Sequence, residues 1–246
     1  MPKSKYDSIY KDLKEKIVSG EYIEETFLPS ENNLIQIYDC SRNTIRRAIS
    51  HLVDEGFLQP HHGKGVRVIY SSRSKARNND YIATGMDGMC TAAAKNGIKI
   101  DTKVITFTDM VIDERLEAKT GFPCGTEIYF IQRVRSLDGV AKIIDTNLLR
   151  KDIANDLDRE LASESLFDYF TNRHGMNITT MKRRITVERT TPFDEKHLEL
   201  DEYGCLAVLT SRFYNEDGIQ FEYTESRNRP DIFVFDSVMT KNLRPN

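Results

Sequence analysis

The sequence predicts an α+β chain in two unlike parts: a small helical unit closed by a hairpin, then a larger unit built on a mostly antiparallel sheet. Three observations carry this. Apolar residues recur at helical spacing through the first part, and strand-like runs alternate with short helices from about residue 81 onward. The stretch Ser71–Asp80 (SSRSKARNND) holds no large apolar side chain and separates the two patterns. Two Asp-Gly pairs, Asp138-Gly139 and Asp217-Gly218, mark hairpin turns in the second part. The expected boundaries are 1–70, a linker at 71–80, and 81–246.

The bulk numbers limit the function classes. With 246 residues, 39% hydrophobic and 30% charged, the chain can bury two ordinary cores and has a soluble globular profile. No apolar run approaches the roughly 20 residues of a membrane span. The start, MPKSKYDSIYKDLKEK, lacks the apolar segment of a secretory signal. Cys40, Cys90, Cys124 and Cys205 are far apart and form no C-x-x-C pair. Reduced thiols, a cytoplasmic location and no metal site are therefore expected. The formal charge is −3, so any nucleic-acid contact must come from a local basic patch.

The first helix carries Tyr6, Ile9, Tyr10, Leu13 and Ile17 on one face and closes at Gly20. Leu28-Pro29-Ser30-Glu31 then breaks the chain, with Ser30 as an N-cap. The second helix presents Leu34, Ile37 and Tyr38. The third begins near Ser41, another N-cap, and carries Ile45, Ala48, Ile49 and Leu52 at i, i+3, i+4 and i+7 before Gly56 ends it. Phe57-Leu58 and Val66–Ile69 flank HHGKG (61–65), which predicts a two-stranded wing.

If the aliphatic set of the third helix faces inward, Arg42, Asn43, Arg46 and Arg47 face out. They lie at the helix's N-terminal end, which also carries partial positive charge. Helix, helix, turn, basic helix and wing is an arrangement that lays one helix in a DNA major groove. A solvated helix face with a few arginines is the plainer alternative for the arginines alone.

LPSENNL (28–34), SRNTIRRAISHLVDEGFL (41–58) and HHGKGVRV (61–68) together resemble the GntR family of bacterial transcription regulators. The resemblance covers nearly all of the first 70 residues and implies a winged helix-turn-helix. It implies DNA contacts from Arg42, Thr44, Arg46, His62 and Gly63, and extends the candidate set to Ser30, Lys64, Gly65 and Arg67. Arg46 is the expected base reader, since bidentate arginine–guanine is the commonest specific contact. Arg42, Lys64 and Arg67 are expected on phosphates, and Asn43 and Arg47 on either.

In the second part, candidate strands are 102–112, 126–137, 140–148, 178–190, 205–215, 219–227 and 232–239. An internal repeat is visible. Asp113-Glu114-Arg115-Leu116 and Asp194-Glu195-Lys196-His197-Leu198 each precede a strand, an Asp-Gly turn and a second strand. Arg133 and Arg212 each stand five residues before their Asp-Gly. Two related halves of one antiparallel sheet, with helices packed on it, are expected.

That layout and the ending FEYTESRNRPDIFVF (221–235) resemble the UTRA effector domain of the HutC branch, whose fold is shared with chorismate lyase. Within the branch, YTESR (223–227) with Arg229, Asp231 and Phe233 looks most like the trehalose-operon members. The resemblance implies a repressor that binds an operator as a homodimer and responds to a sugar phosphate, trehalose 6-phosphate.

Arg133 and Arg135 are two apart on one strand and so share a face. Paired guanidinium groups suit phosphate oxygens, or form a solvated ladder of charge. The resemblance makes both effector contacts. The turn Thr84–Met89 runs into an apolar helix, Cys90–Lys95, so the amides of Gly88 and Met89 are candidate phosphate donors. Asp145, Ser165 and Glu222 match sugar- or phosphate-contacting positions. Asp145 raises a register problem: a two-residue turn at Asp138-Gly139 sets it opposite Gln132, a three-residue loop opposite Arg133. Ser165 is either a contact or only an N-cap, and Glu222 either a contact or an exposed strand residue. Tyr223 fits core packing better than sugar stacking.

An enzyme is the rival class, because of the lyase-like fold. No nucleophile elbow, zinc-protease spacing, phosphate loop or dinucleotide fingerprint appears, and no catalytic residue is assigned. A DNA-binding module whose second half only dimerises is a third class, separable by titration with phosphorylated sugars.

Overall fold

A computed structural model of the chain describes residues 5–71, 81–82 (backbone only) and 99–235. The chain forms two compact units. Most of the expected linker, the Thr84–Met89 turn and the Cys90–Lys95 helix lie outside the described residues.

In the first unit, α1 spans Lys5–Ser19, α2 Glu31–Tyr38 and α3 Arg42–Asp54. Ser30 Oγ accepts from the Asn33 N–H, and Ser41 Oγ from the Thr44 N–H, so both predicted caps form. Gly20 and Gly56 sit at positive φ, 83° and 76°, where each helix stops. Ile9, Leu13, Ile17, Leu34, Ile45, Ala48, Ile49 and Leu52 make the core with Leu28, Leu58 and Val68. One side chain departs from expectation: Ile37 is 57% exposed. The packed stripe of α2 is Leu34, Ile35 and Tyr38 instead, one residue round the helix.

The wing pairs β1 (Leu58–His61) with β2 (Gly65–Val68), Leu58 opposite Val68 and His61 opposite Gly65. Gly63 and Gly65 take φ of 73° and 110° in the turn. Phe27 bridges to Arg67 and adds a third short line of backbone pairing.

The second unit holds a six-stranded antiparallel sheet in the order β4-β5-β6-β9-β8-β7. The strands are β4 (Ile100–Val111), β5 (Glu127–Leu137), β6 (Val140–Arg150), β7 (Ile178–Arg189), β8 (Cys205–Asn215) and β9 (Gln220–Asn228). Helix α4 (Glu114–Thr120) follows β4, and α5 (Pro192–His197) follows β7. This order is the predicted repeat made visible: β6 and β9 meet at the centre, and Thr146 lies opposite Glu225 midway along their pairing. The expected strand 232–239 is represented among the described residues by Phe233–Val234 (β10), which runs parallel to Tyr81–Ile82 (β3).

The two Asp-Gly turns differ. Asp138 and Gly139 form a two-residue turn, both at positive φ, between Leu137 and Val140. The second turn is longer, closed by the Asn215 N–H donating to Ile219 O. The repeat-related arginines therefore fall on opposite faces. Arg133 pairs with Asp145, while Arg212 pairs with Tyr223.

One face of the sheet packs Val104, Ile131, Leu149 and Phe221 against the segment 153–173, through Ala154, Leu157, Ala162, Leu166 and Phe170. The other buries Ile112, Phe122, Ile128, Leu148 and Tyr223, with Val134, Ile144, Leu206 and Val208 as a neighbouring cluster. Tyr223 is thus a core residue.

Candidate functional site

In the first unit, α3 exposes Arg42, Asn43, Arg46 and Arg47 and half-buries Thr44. Several of these side chains already hold contacts. Arg46 Nε donates to both oxygens of Glu31 at 3.1 Å. Arg42 donates to Asn32 Oδ1 at 2.9 Å. The Arg47 guanidinium lies 4.0 Å from the Tyr6 ring centre. Thr44 Oγ1 is 2.8 Å from Ser41 Oγ. On the wing, His62, Gly63, Lys64 and Gly65 are exposed, while Arg67 Nε donates to Glu25 O at 2.8 Å. The first unit thus exposes a basic helix end and a wing turn that offers two glycines and a lysine. Such a surface suits a duplex groove and its phosphates.

In the second unit, the face covered by segment 153–173 carries a buried polar cluster. Arg133, Arg135 and Asp145 are 2%, 5% and 3% exposed. Asp145 Oδ2 lies 2.7 Å from Arg135 Nε and 3.4 Å from an Arg133 terminal nitrogen. Ser226 donates to Asp145 Oδ1 at 2.6 Å. Burial alone would raise the Asp145 carboxyl. The charges of Arg135 and Arg133, with the hydrogen bonds, outweigh it and hold the group below its ordinary value.

The register problem at Asp145 has a third solution. The turn has two residues, yet Asp145 still faces Arg133, because a bulge follows. Ser136 pairs with Ala141 and Arg135 with Ile143, leaving Lys142 as the extra residue. That single residue moves Asp145 from the Gln132 face to the arginine face.

Glu222 is 7% exposed, so it is no surface strand residue. Its Oε1 accepts from Asn147 Nδ2 at 3.0 Å and from Thr224 Oγ1 at 2.6 Å. Burial raises its carboxyl above the ordinary value, a shift that these bonds and the Arg133 charge only partly offset. Ser165 caps the helical turn at Leu166, its Oγ accepting from the Asp168 N–H at 3.2 Å, so one lone pair is occupied. Gly88 and Met89 lie outside the described residues. Arg133, Arg135, Asp145 and Glu222 thus share one face of β5, β6 and β9, and Ser165 follows the loop that Arg133 binds through Ala162 O and Glu164 O.

Residues 5–68 match the family described as bacterial regulatory proteins, gntR family, and residues 95–234 match the UTRA domain. The chain belongs to the gntR family and carries a UTRA effector domain. The chain of this GntR regulator is similar to the HTH-type transcriptional regulator TreR of Bacillus subtilis, 29% identical over 235 residues, covering 96% of this chain and 97% of that one. It is similar also to GmuR of the same organism, 26% identical over 96% of this chain and 98% of that one. Among solved structures, Bacillus subtilis YydK shares the fold along 97% of this chain and 99% of its own, with a TM-score of 0.75 at 20% identity. The effector-binding domain of the Bacillus subtilis trehalose repressor matches 58% of this chain and 99% of its own, with a TM-score of 0.53 at 26% identity.

These two domains make the GntR protein a DNA-binding transcriptional regulator with a small-molecule effector domain, and not an enzyme. The strand-to-strand alternation also brings Asn147, Thr224 and Ser226 onto the arginine face. Sequence reasoning missed them, although period-2 counting from Asp145 and from Glu222 reaches all three.

Proposed function

We propose that the protein is a repressor whose hold on its operator is released by a phosphorylated sugar, trehalose 6-phosphate, and that it regulates trehalose uptake and use. The observation that carries this is the buried cluster of Arg133, Arg135 and Asp145 beside Glu222. Two guanidinium groups gathered on one buried face offer the forked donors that suit phosphate oxygens, in a low-dielectric place where such bonds are strong. The carboxylates supply acceptors for hydroxyl groups. The end-to-end likeness to TreR supports trehalose 6-phosphate in particular. A different sugar phosphate or small anion is the second reading, supported by the nearly equal likeness to GmuR.

In this proposal, residues 1–70 bind DNA, 71–80 link, and 81–246 bind effector and dimerise. The protein acts in the cytoplasm as a homodimer on a palindromic operator, since one winged helix reads only a few base pairs. Arg46 reads a base. Ser30, Arg42, Thr44, His62, Gly63, Lys64, Gly65 and Arg67 position the domain, and Asn43 and Arg47 meet either bases or phosphates. Arg135, Arg133 and the amides of Gly88 and Met89 take the phosphate, and Asp145, Ser165 and Glu222 take hydroxyl groups. Effector binding reorganises the stretch after the linker and re-aims the DNA-binding halves, with a coupling of about 1–3 kcal/mol.

A thermal-shift panel of sugar phosphates tests the effector. Trehalose 6-phosphate should raise the melting point, and trehalose at equal concentration should not. A rise with another sugar phosphate alone would move the assignment to that compound. Arg135→Ala should keep operator binding and lose effector release.

A further inference from the structure

We propose that Asn147 is the positioning residue of the effector site, locking the Arg133 guanidinium to the Glu222 carboxylate so that the anion and hydroxyl subsites respond together. The proposal rests on the effector reading above.

Asn147 stands on β6 two residues after Asp145, opposite Thr224 of β9 and Ile131 of β5. Its side chain is 1% exposed. Oδ1 accepts from Arg133 Nε at 3.1 Å. Nδ2 donates to Glu222 Oε1 at 3.0 Å and to Thr224 Oγ1 at 2.8 Å. A guanidinium only donates and a carboxylate only accepts, so the amide has one workable orientation, oxygen toward Arg133 and nitrogen toward Glu222. No other residue type of that size offers an acceptor on one side and two donors on the other.

The lock has two effects. Glu222 Oε1 is filled twice, by Asn147 and by Thr224, while Oε2 has no partner among the described residues. Oε2 is thereby the oxygen turned over to a ligand hydroxyl. Arg135, Asp145, Arg133, Asn147 and Glu222 also become one unbroken line of polar contacts across three strands. An anion that draws Arg133 or Arg135 toward itself must shift Asn147, and with it Glu222. Phosphate and sugar recognition are then a conjunction: each half binds weakly, and the joined molecule binds better than the halves predict.

The test uses the full chain with Asn147→Leu and, in case that variant fails to fold, the isosteric Asn147→Asp. Carbon-13 carboxyl NMR of the ligand-free protein gives the first readout: Glu222 should titrate higher in Asn147→Leu, having lost its amide donor, and higher still in Asn147→Asp, where a second carboxylate also repels it. An unchanged Glu222 titration overturns the lock. Calorimetry with trehalose 6-phosphate gives the second. In the wild type, the losses from Arg135→Lys and Glu222→Gln should be non-additive by about fivefold or more. In the Asn147→Leu background they should add. Non-additivity that survives Asn147→Leu also overturns the proposal. Should the wild type bind no sugar phosphate, the effector reading falls, and the Glu222 titration still decides the lock.

Discussion

Lys142 Nζ lies 2.8 Å from Asp231, and this pair anchors the bulge that sets Asp145 against Arg133. The anchor has a second part. The Arg229 N–H donates to Lys142 O at 3.0 Å, and the Arg229 guanidinium grips Asp231 at 2.7 and 2.8 Å. The Asn-Arg-Pro-Asp run (228–231) thus acts on the effector face without lying on it. It fixes the extra residue of β6, and the extra residue fixes the register.

Asp231→Asn tests this anchor through pH. Hydrogen bonds from Arg229 first, and then from Lys142, lower the Asp231 carboxyl to about 2. A depressed acid contributes stability that is present above its unfolded pKa and lost as pH falls through the folded value. The window here runs from about pH 4 down to about pH 2. The variant should melt lower than wild type at pH 7 and lose less on acidification. Identical melting curves at pH 7 and pH 3 would show that the bulge needs no anchor.

Arg227→Ala tests the opposite face. Arg227 donates through Nε and a terminal nitrogen to Asp194 at 3.0–3.2 Å, and Asp194 is fully buried in the capping box of α5. Removing the arginine strands a buried carboxylate, which costs about 3–5 kcal/mol. Urea unfolding should show the drop, and adding Asp194→Asn should recover part of it. A loss of under about 1 kcal/mol would mean that water reaches the pair.

The helices were legible because their signals are local. Ser30 and Ser41 cap, Gly20 and Gly56 stop, and the 3.6-residue stripe points inward. The extents of β5, β6, β8 and β9 were legible for the same reason, the two Asp-Gly turns bounding their hairpins. What failed to read was everything that depends on a single residue of register. Lys142 carries no mark as a bulge, because its anchor, Asp231, lies 89 positions away. Arg133 and Arg212 look equivalent by spacing, yet turns of different length place them on opposite faces. Ile37 fits the α2 stripe as well as Ile35 does, and only packing into the core of the first unit decides between them. Asn147 was missed because an asparagine in a strand reads as neutral until its partners are known.

Glu222→Gln tests the buried acid. Its folded pKa is raised, chiefly by burial. Below the unfolded value, about 4.3, both states are protonated and the group is silent. As pH rises through the raised folded value, the unfolded state gains more from ionisation, and stability falls. Glutamine keeps an acceptor for Asn147 and Thr224 without the charge. The variant should therefore equal or exceed the wild-type melting point at pH 8 and match it near pH 4. A variant that melts lower at pH 8 would mean that the carboxylate is stabilised in the fold.

Arg46 and Glu31 form an exposed ion pair whose two members are separable by mutation. Arg46→Ala should weaken operator binding by about 1–3 kcal/mol, relax specificity at one base, and leave random duplex little changed. Equal loss on both DNAs would make Arg46 a phosphate contact. Glu31 makes a subtler case. Its carboxylate is bound by Arg46 Nε, and no hydrogen bond among the described residues occupies the terminal nitrogens of the fork. It also sits in the first turn of α2, where a negative charge is favourable. Glu31→Gln removes a charge that repels phosphates, so affinity for random duplex should rise, by up to about fivefold given how little exposed ion pairs contribute. It also frees the fork to rotate, so the ratio of operator to random binding should shrink. Gel-shift titrations of both DNAs at one fixed salt concentration measure the two effects together. If the ratio rises instead, Glu31 competes with the base for Arg46 and does not aim it.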